Sequence, residues 1–141
     1  MNPVESAIAI AVHAHAGQTD KSGQPYILHP LRVMFRCQTD EQRTVAILHD
    51  VIEDTSVTVE DLRKQGFSEA ILAALDCVTK REGESYEDFV ERAAANPIAR
   101  QVKLADLEDN LDLRRLGAVT MGQKETDRLK RYIRAWHRLQ R

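Results

Sequence analysis

Long apolar runs are missing from this chain. The longest near its start, "AIAIAV" at residues 7–12, is far too short to cross a bilayer. It also lacks the basic flank and cleavage pattern of a secretory signal. Cysteine is scarce: Cys37 and Cys77 are too few for a disulfide framework and lack metal-site spacing, which leaves two reduced, buried thiols. Charge of one sign is absent too, since a net charge of −2 provides no basic field for nucleic acid or an anionic membrane surface. There is no Gly-rich phosphate loop, no internal repeat, no low-complexity linker, and no stretch that alternates convincingly at period two. These absences predict a cytoplasmic protein with no nucleic-acid and no membrane partner, and they speak against a sheet.

What is present is helical periodicity over 141 residues that are 43% hydrophobic and 30% charged, enough for one domain with a real core. Residues 3–16 suit a first helix, with Ile8, Val12 and His15 on one face. "GQTDKSGQP", residues 17–25, is turn-rich and reads as a loop. Pro30 fits the first turn of a second helix that runs to about Cys37, and a third covers about residues 41–54. Thr58 and Asp61 form a near match to a capping box. Further helices are expected over about 68–80, 84–95, 97–115 and 122–140. The predicted fold is all-α, a compact bundle in which residues 1–141 form a single domain. Its last helix carries Leu129, Ile133 and Trp136 on one stripe and is expected to pack on the body.

One stretch resists this plain reading. "TVAILHDVIEDTS", residues 44–56, sets His49, Asp50, Glu53 and Asp54 among apolar neighbours. A packed interior excludes such groups unless each is paired or bound to an ion. On an unbroken helix Asp50 and Asp54 form one row and His49 and Glu53 the row beside it. "PYILHPLRV" adds His29 at the mouth of a helix, and "VKLADLEDNL" adds Asp106 and Asn110 four residues apart. His13 and His15, two apart, do not share a helix face and read as structural, and His137 reads as surface.

A lone His, then His-Asp-x-x-Glu-Asp, then Asp-x-x-x-Asn resembles the pattern of the HD superfamily of metal-dependent phosphohydrolases. More closely, the chain resembles the hydrolase domain of RelA/SpoT-type alarmone enzymes and the small stand-alone alarmone hydrolases. "HAGQ", "GQPYILHP", "LHDVIEDT", "GF", "VT" and "VKLAD" fall in the family's order from about Ala7 to Leu113. The resemblance implies an HD-type bundle with its metal site between helices, and His29, His49, Asp50 and Asp106 as ligands. Two imidazoles and two carboxylates suit a borderline divalent ion; the family usually employs Mn²⁺, although Fe²⁺, Zn²⁺ or Co²⁺ are equally admitted by ligand type. Glu53 and Asp54 take the place of the family's acid-base pair, crowded so that one holds a proton near neutrality. Asn110 resembles a substrate-side amide, and Lys21 a basic loop residue near the nucleotide. The implied reaction removes the 3′-pyrophosphate of (p)ppGpp, a small-molecule nucleotide substrate of the stringent response, to give GDP or GTP. The implied enzyme is a monomer or homodimer, and the chain is too short to include a synthetase half.

The match has departures. Asp20 stands where the family carries an Arg that stacks on guanine; a carboxylate offers no cation-π face, though it accepts hydrogen bonds from the guanine edge. Leu107 and Asp109 replace a basic residue and a His, and Asp109 is expected to add negative charge beside Asp106 that weakens substrate binding or demands tighter cation binding. These positions leave two other readings of the chain, an HD-type nucleotidase that releases orthophosphate and a non-catalytic nucleotide-binding sensor.

Overall fold

The computed structural model describes residues 2–116 and 121–141. Along the described residues the elements are α1 (Pro3–Ala14), α2 (Leu28–Phe35), α3 (Asp40–Leu48), α4 (Val51–Asp54), α5 (Val59–Lys64), α6 (Glu69–Cys77), α7 (Tyr86–Ala95), α8 (Pro97–Asn110), α9 (Leu113–Leu116) and α10 (Gln123–Leu139). The fold is all-α. Among the described residues the only extended pairing is an isolated antiparallel bridge between Thr19 and Pro25. No described helix is long and apolar enough to cross a membrane.

Short polar side chains decide where the helices begin. Asn2 accepts from the Glu5 amide and Glu5 returns the bond, with Pro3 in the first position. Thr58 and Asp61 cap α5 in the same reciprocal way. Asn96 accepts from the Ile98 and Ala99 amides ahead of Pro97 and so starts α8.

Two predicted helices are broken, each by a side chain that competes for backbone. The stretch 41–54 divides into α3 and α4, with His49 and Asp50 in the turn between them. The Ala46 carbonyl, which a continuous helix would offer to the Asp50 amide, instead takes the His49 amide (3.3 Å) and the His49 ring Nδ1–H (2.6 Å). The rows drawn from four-residue spacing therefore do not run through this segment. The stretch 97–115 divides at Asp112, whose carboxylate accepts from the Arg114 amide at 2.9 Å and opens α9.

The principal core gathers apolar faces of α1, α2, α3, α6 and α8, with Ala7, Val33, Ile47, Leu48, Leu75 and Val102 wholly or almost wholly shielded. A second cluster joins α7, α8 and α10 through Val90, Leu107, Ala135 and Leu139. Helix α8 belongs to both and acts as the central post. Two predicted stripes are rotated. Val12 is 49% exposed, because α1 packs through Ala7 and Ala11 instead; Ile133 is 46% exposed, because α10 packs through Tyr132, Ala135, Trp136 and Leu139. In the first case small residues turn α1 onto α3, and in the second Tyr132 and Trp136 turn α10 onto α7 and α8.

Leu107 is fully buried where α8 meets α10. Leu107→Ala is expected to cost about 2–5 kcal/mol of stability, read as a lowered midpoint in urea denaturation at unchanged slope.

Candidate metal centre and its pocket

Four side chains from three helical regions meet where α2, the α3–α4 turn and α8 come together. His29 arrives from the first turn of α2, His49 and Asp50 from the turn, and Asp106 from α8. The ligand atoms of His29, His49 and Asp50 lie within 4.8 Å of one another. Asp106 Oδ1 is 3.0 Å from His29 Nε2 and 3.3 Å from His49 Nε2. Asp50 Oδ2 is 3.1 Å from His49 Nε2 and 3.8 Å from His29 Nε2.

Each of these groups is held from behind. The His49 Nδ1–H donates to the Ala46 carbonyl, so its Nε2 faces inward, buried and without a hydrogen-bond partner. The His29 Nδ1–H donates to Asp109 Oδ2 at 2.6 Å, which aims its Nε2 at the same point. Tyr26 donates its hydroxyl to Asp50 Oδ2 (2.5 Å), and Lys103 Nζ donates to Asp106 Oδ2 (3.0 Å), leaving Oδ1 turned toward the imidazoles. An orphaned buried imidazole nitrogen ringed by two carboxylates and a second imidazole fits a divalent cation.

The electrostatics of the metal-free cluster follow from burial and pairing. Burial by itself opposes the charged imidazolium, yet the neighbouring carboxylates raise His29 and lift His49 well above the ordinary histidine range. Burial likewise pushes Asp106 up, but Lys103 and the two imidazoles hold it well below the usual carboxylate range. Glu53 and Asp54 move the other way: partial burial raises both, and Asp50 raises each further. The carboxylate crowding expected there is present.

The cluster forms the floor of a cavity of about 470 Å³, the size of a small-ligand site. Lys21 and Asn110 both line it. Asn110 donates from Nδ2 to Asp106 Oδ1 at 3.3 Å. Lys21 is exposed, and its pKa is lowered, first by slight burial and then by Arg128 across the cavity. Glu53 and Asp54 sit exposed one turn beyond the cluster, where Glu53 accepts from the Lys80 amide at 2.5 Å. His13 and His137 are exposed, whereas His15 is buried against the Tyr26 ring with 5.0 Å between centroids.

Two departures take on a different meaning. Half of the Asp20 carboxylate is taken by its own loop: Oδ1 accepts from the Ser22 and Gln24 amides, while Oδ2, 3.8 Å from Arg115, keeps room to accept from a ligand in the cavity it lines. Together with Gly23, which turns at φ +80°, it shapes the loop. Asp109 adds no uncompensated charge. It is fully buried, and Arg32, Arg36 and Arg115 stand 2.9, 3.9 and 2.8 Å from its oxygens.

Sequence reasoning gave no role to several residues that matter here. Tyr26 and Lys103 lay inside the quoted motifs, and a lysine within the apolar run "VKLA" was a readable signal. Arg115, Arg128 and Tyr132, which also line the cavity, carried no such signal, because only tertiary contact brings α9 and α10 to its wall.

The segment that supplies the Lys80 amide is pinned by Arg92, which donates to the Asp76 and Thr79 carbonyls and to Glu84. The Arg92 bond and the Arg81 amide hold the Glu84 carboxyl at about 2, below its ordinary 4.5. The Glu84 contribution to stability is therefore present above about pH 4.5 and fades as pH falls toward 2. Comparing acid unfolding of the native chain with Glu84→Gln should show a shallower decline for the variant across that interval.

Comparison with known proteins meets this geometry. The chain is 37% identical to the guanosine-3′,5′-bis(diphosphate) 3′-pyrophosphohydrolase of Vibrio cholerae, over 75% of this chain and 15% of that protein. It is 33% identical to a GTP pyrophosphokinase of Streptomyces coelicolor, over 99% of this chain and 18% of that protein. The chain thus spans less than a fifth of the length of these curated relatives. Among solved structures, one described as a metazoan ortholog of SpoT that hydrolyzes ppGpp shares the fold, with a TM-score of 0.80 at 24% identity, covering 100% of this chain and 86% of that one. The HD domain family model matches residues 7–116, most of the length, and the His-Asp turn lies inside that span: the chain belongs to the HD domain family.

Proposed function

We propose that the protein is a metal-dependent phosphohydrolase of the (p)ppGpp 3′-pyrophosphohydrolase type, releasing pyrophosphate and leaving GDP or GTP. The observation that carries this reading is the meeting of His29, His49, Asp50 and Asp106 at a cavity whose lining brings Lys21, Arg115 and Arg128 within reach of an anionic ligand. The catalytic fold here is a single unit, residues 1–141, acting as a monomer or homodimer in the cytoplasm, where a stringent-response nucleotide would be met.

His29, His49, Asp50 and Asp106 would hold the ion, and Mn²⁺ suits two imidazoles and two carboxylates. A divalent ion there supplies Lewis acidity, which polarises a phosphoryl oxygen and acidifies water near neutral pH. The chain's own groups do the rest. Lys21 and Arg128 face the cavity as cations for the phosphates, and Lys103 keeps Asp106 ionised and oriented. Asn110 presents its amide on the substrate side of Asp106. Glu53 and Asp54 are the proton-handling pair: burial and the neighbouring Asp50 raise both carboxyls above their ordinary range, the direction that favours carrying a proton.

Asp20 favours a second reading. With one oxygen of its carboxylate taken by the loop and no guanidinium at that position to stack on a base, the pocket does not impose guanine, as a nucleotidase with another substrate would have it.

A product-resolved screen separates these. With Mn²⁺ and ppGpp the native protein should release pyrophosphate, and Glu53→Gln should lower kcat by about 10²–10⁴-fold. Orthophosphate released from a nucleoside monophosphate would establish the nucleotidase. Tight calorimetric binding of nucleotide without turnover under any divalent ion would identify a sensor and end the enzymatic reading.

A further inference from the structure

Asp109 is fully shielded from solvent, and it is the group behind His29. Its Oδ2 lies 2.6 Å from His29 Nδ1 and 2.8 Å from Arg115 Nη1, while its Oδ1 lies 2.9 Å from Arg32 Nε. Two guanidinium donors converge on this carboxylate, so it is the acceptor and the His29 ring must be the donor. That fixes the proton of His29 on Nδ1 and leaves Nε2 for the cluster.

We infer that Asp109 is a positioning residue that sets the orientation and donor strength of His29 toward a divalent ion, with Arg32 and Arg115 holding the carboxylate in place. The inference rests on the reading of His29 as a metal ligand. A buried carboxylate behind a ligating imidazole fixes its tautomer and increases its basicity, and losing such a partner typically weakens ion binding by about 10–100-fold. His49 has only a neutral carbonyl, that of Ala46, in the equivalent place. The two imidazoles are therefore unequal, and His29 is the stronger donor. The acidic residue beside Asp106 thus acts on the ion through the ring of His29, while its own charge is answered by arginine. Arg115 extends the arrangement outward, since the same guanidinium reaches Asn110 Oδ1 at 3.1 Å and faces Asp20 of the loop.

Calorimetric titration with Mn²⁺ alone, on the full chain, tests this without any substrate. Asp109→Asn keeps the shape and removes the charge; its Mn²⁺ dissociation constant should rise by about 10–100-fold. Arg32→Gln loosens the same carboxylate without touching His29, and it should weaken Mn²⁺ binding by less than Asp109→Asn does. A carboxylate that merely paired with the arginines would alter thermal stability in both variants and ion affinity in neither. A folded Asp109→Asn that binds Mn²⁺ as tightly as the native chain overturns the inference while leaving the proposed function standing. A native chain that binds no divalent ion overturns both. If Asp109→Asn does not fold, proton NMR of the Co²⁺-loaded native protein decides: a paramagnetically shifted, slowly exchanging His29 Nδ1–H supports the inference, and ligation through Nδ1 or fast exchange of that proton overturns it.

Discussion

Asp106 and His49 lie inside the protein, 6% and 4% exposed, and neither is tolerable there as an unpaired charge, because a charge withdrawn from water must find a partner or be neutralised, the carboxylate by gaining a proton and the imidazolium by losing one. The molecule answers by bringing opposite charges from separate helices to one place: two imidazoles, the carboxylates of Asp50, Asp106 and Asp109, and the cations of Lys103, Arg32 and Arg115. Local partners are few, the Lys103–Asp106 pair on α8, the bond from the His49 ring to the Ala46 carbonyl and the His49–Asp50 neighbours, and the remaining pairings join separate elements. The cluster is therefore stable only when α2, the α3–α4 turn and α8 are packed, and the packing is acceptable only when the cluster is complete. Fold and site impose each other.

That mutual constraint explains why the backbone yields at His49 and Asp50. A continuous helix would offer the Ala46 carbonyl to the next amide in the ladder and leave the imidazole unanchored. Ending α3 there gives the carbonyl to the ring instead, fixes the Nδ1 proton, and turns Asp50 toward the hydroxyl of Tyr26. One helical hydrogen bond, worth about 1 kcal/mol net, is exchanged for two oriented donors at the centre of the site.

The division of labour outward from the cluster follows the same logic. Groups touching the cluster are buried and rigidly partnered, whereas Glu53, Asp54 and Lys21 stand in solvent at its margin. In the proposed function these are the groups that handle protons and meet phosphate, and partial exposure suits both tasks. The loop carrying Lys21 is shaped by Asp20 and Gly23 and is linked through Arg115 to α8, so the cavity wall and the ion-binding floor share a strut.

By itself the sequence determined the helical character of the fold, most of its helix starts and the residues of the cluster. These are properties of local chemistry: period in apolar residues, capping side chains, and ionisable groups in runs such as "AILHDVIED" where they have no local reason to be. Tertiary structure alone decided the rest. Asp109, adjacent to Asp106 in pattern, looked like surplus negative charge, and only the arrival of α2 and α9 beside it supplied His29 and the arginines that neutralise it. Asp20 looked wholly available to a base, and only the folded loop shows one of its oxygens taken by the Ser22 and Gln24 amides. Val12 and Ile133 looked buried because periodicity reports an apolar stripe but not its rotation, which is set by how closely the partner helix can approach. Spacing records which groups a helix can present; what they meet depends on surfaces contributed from far along the chain.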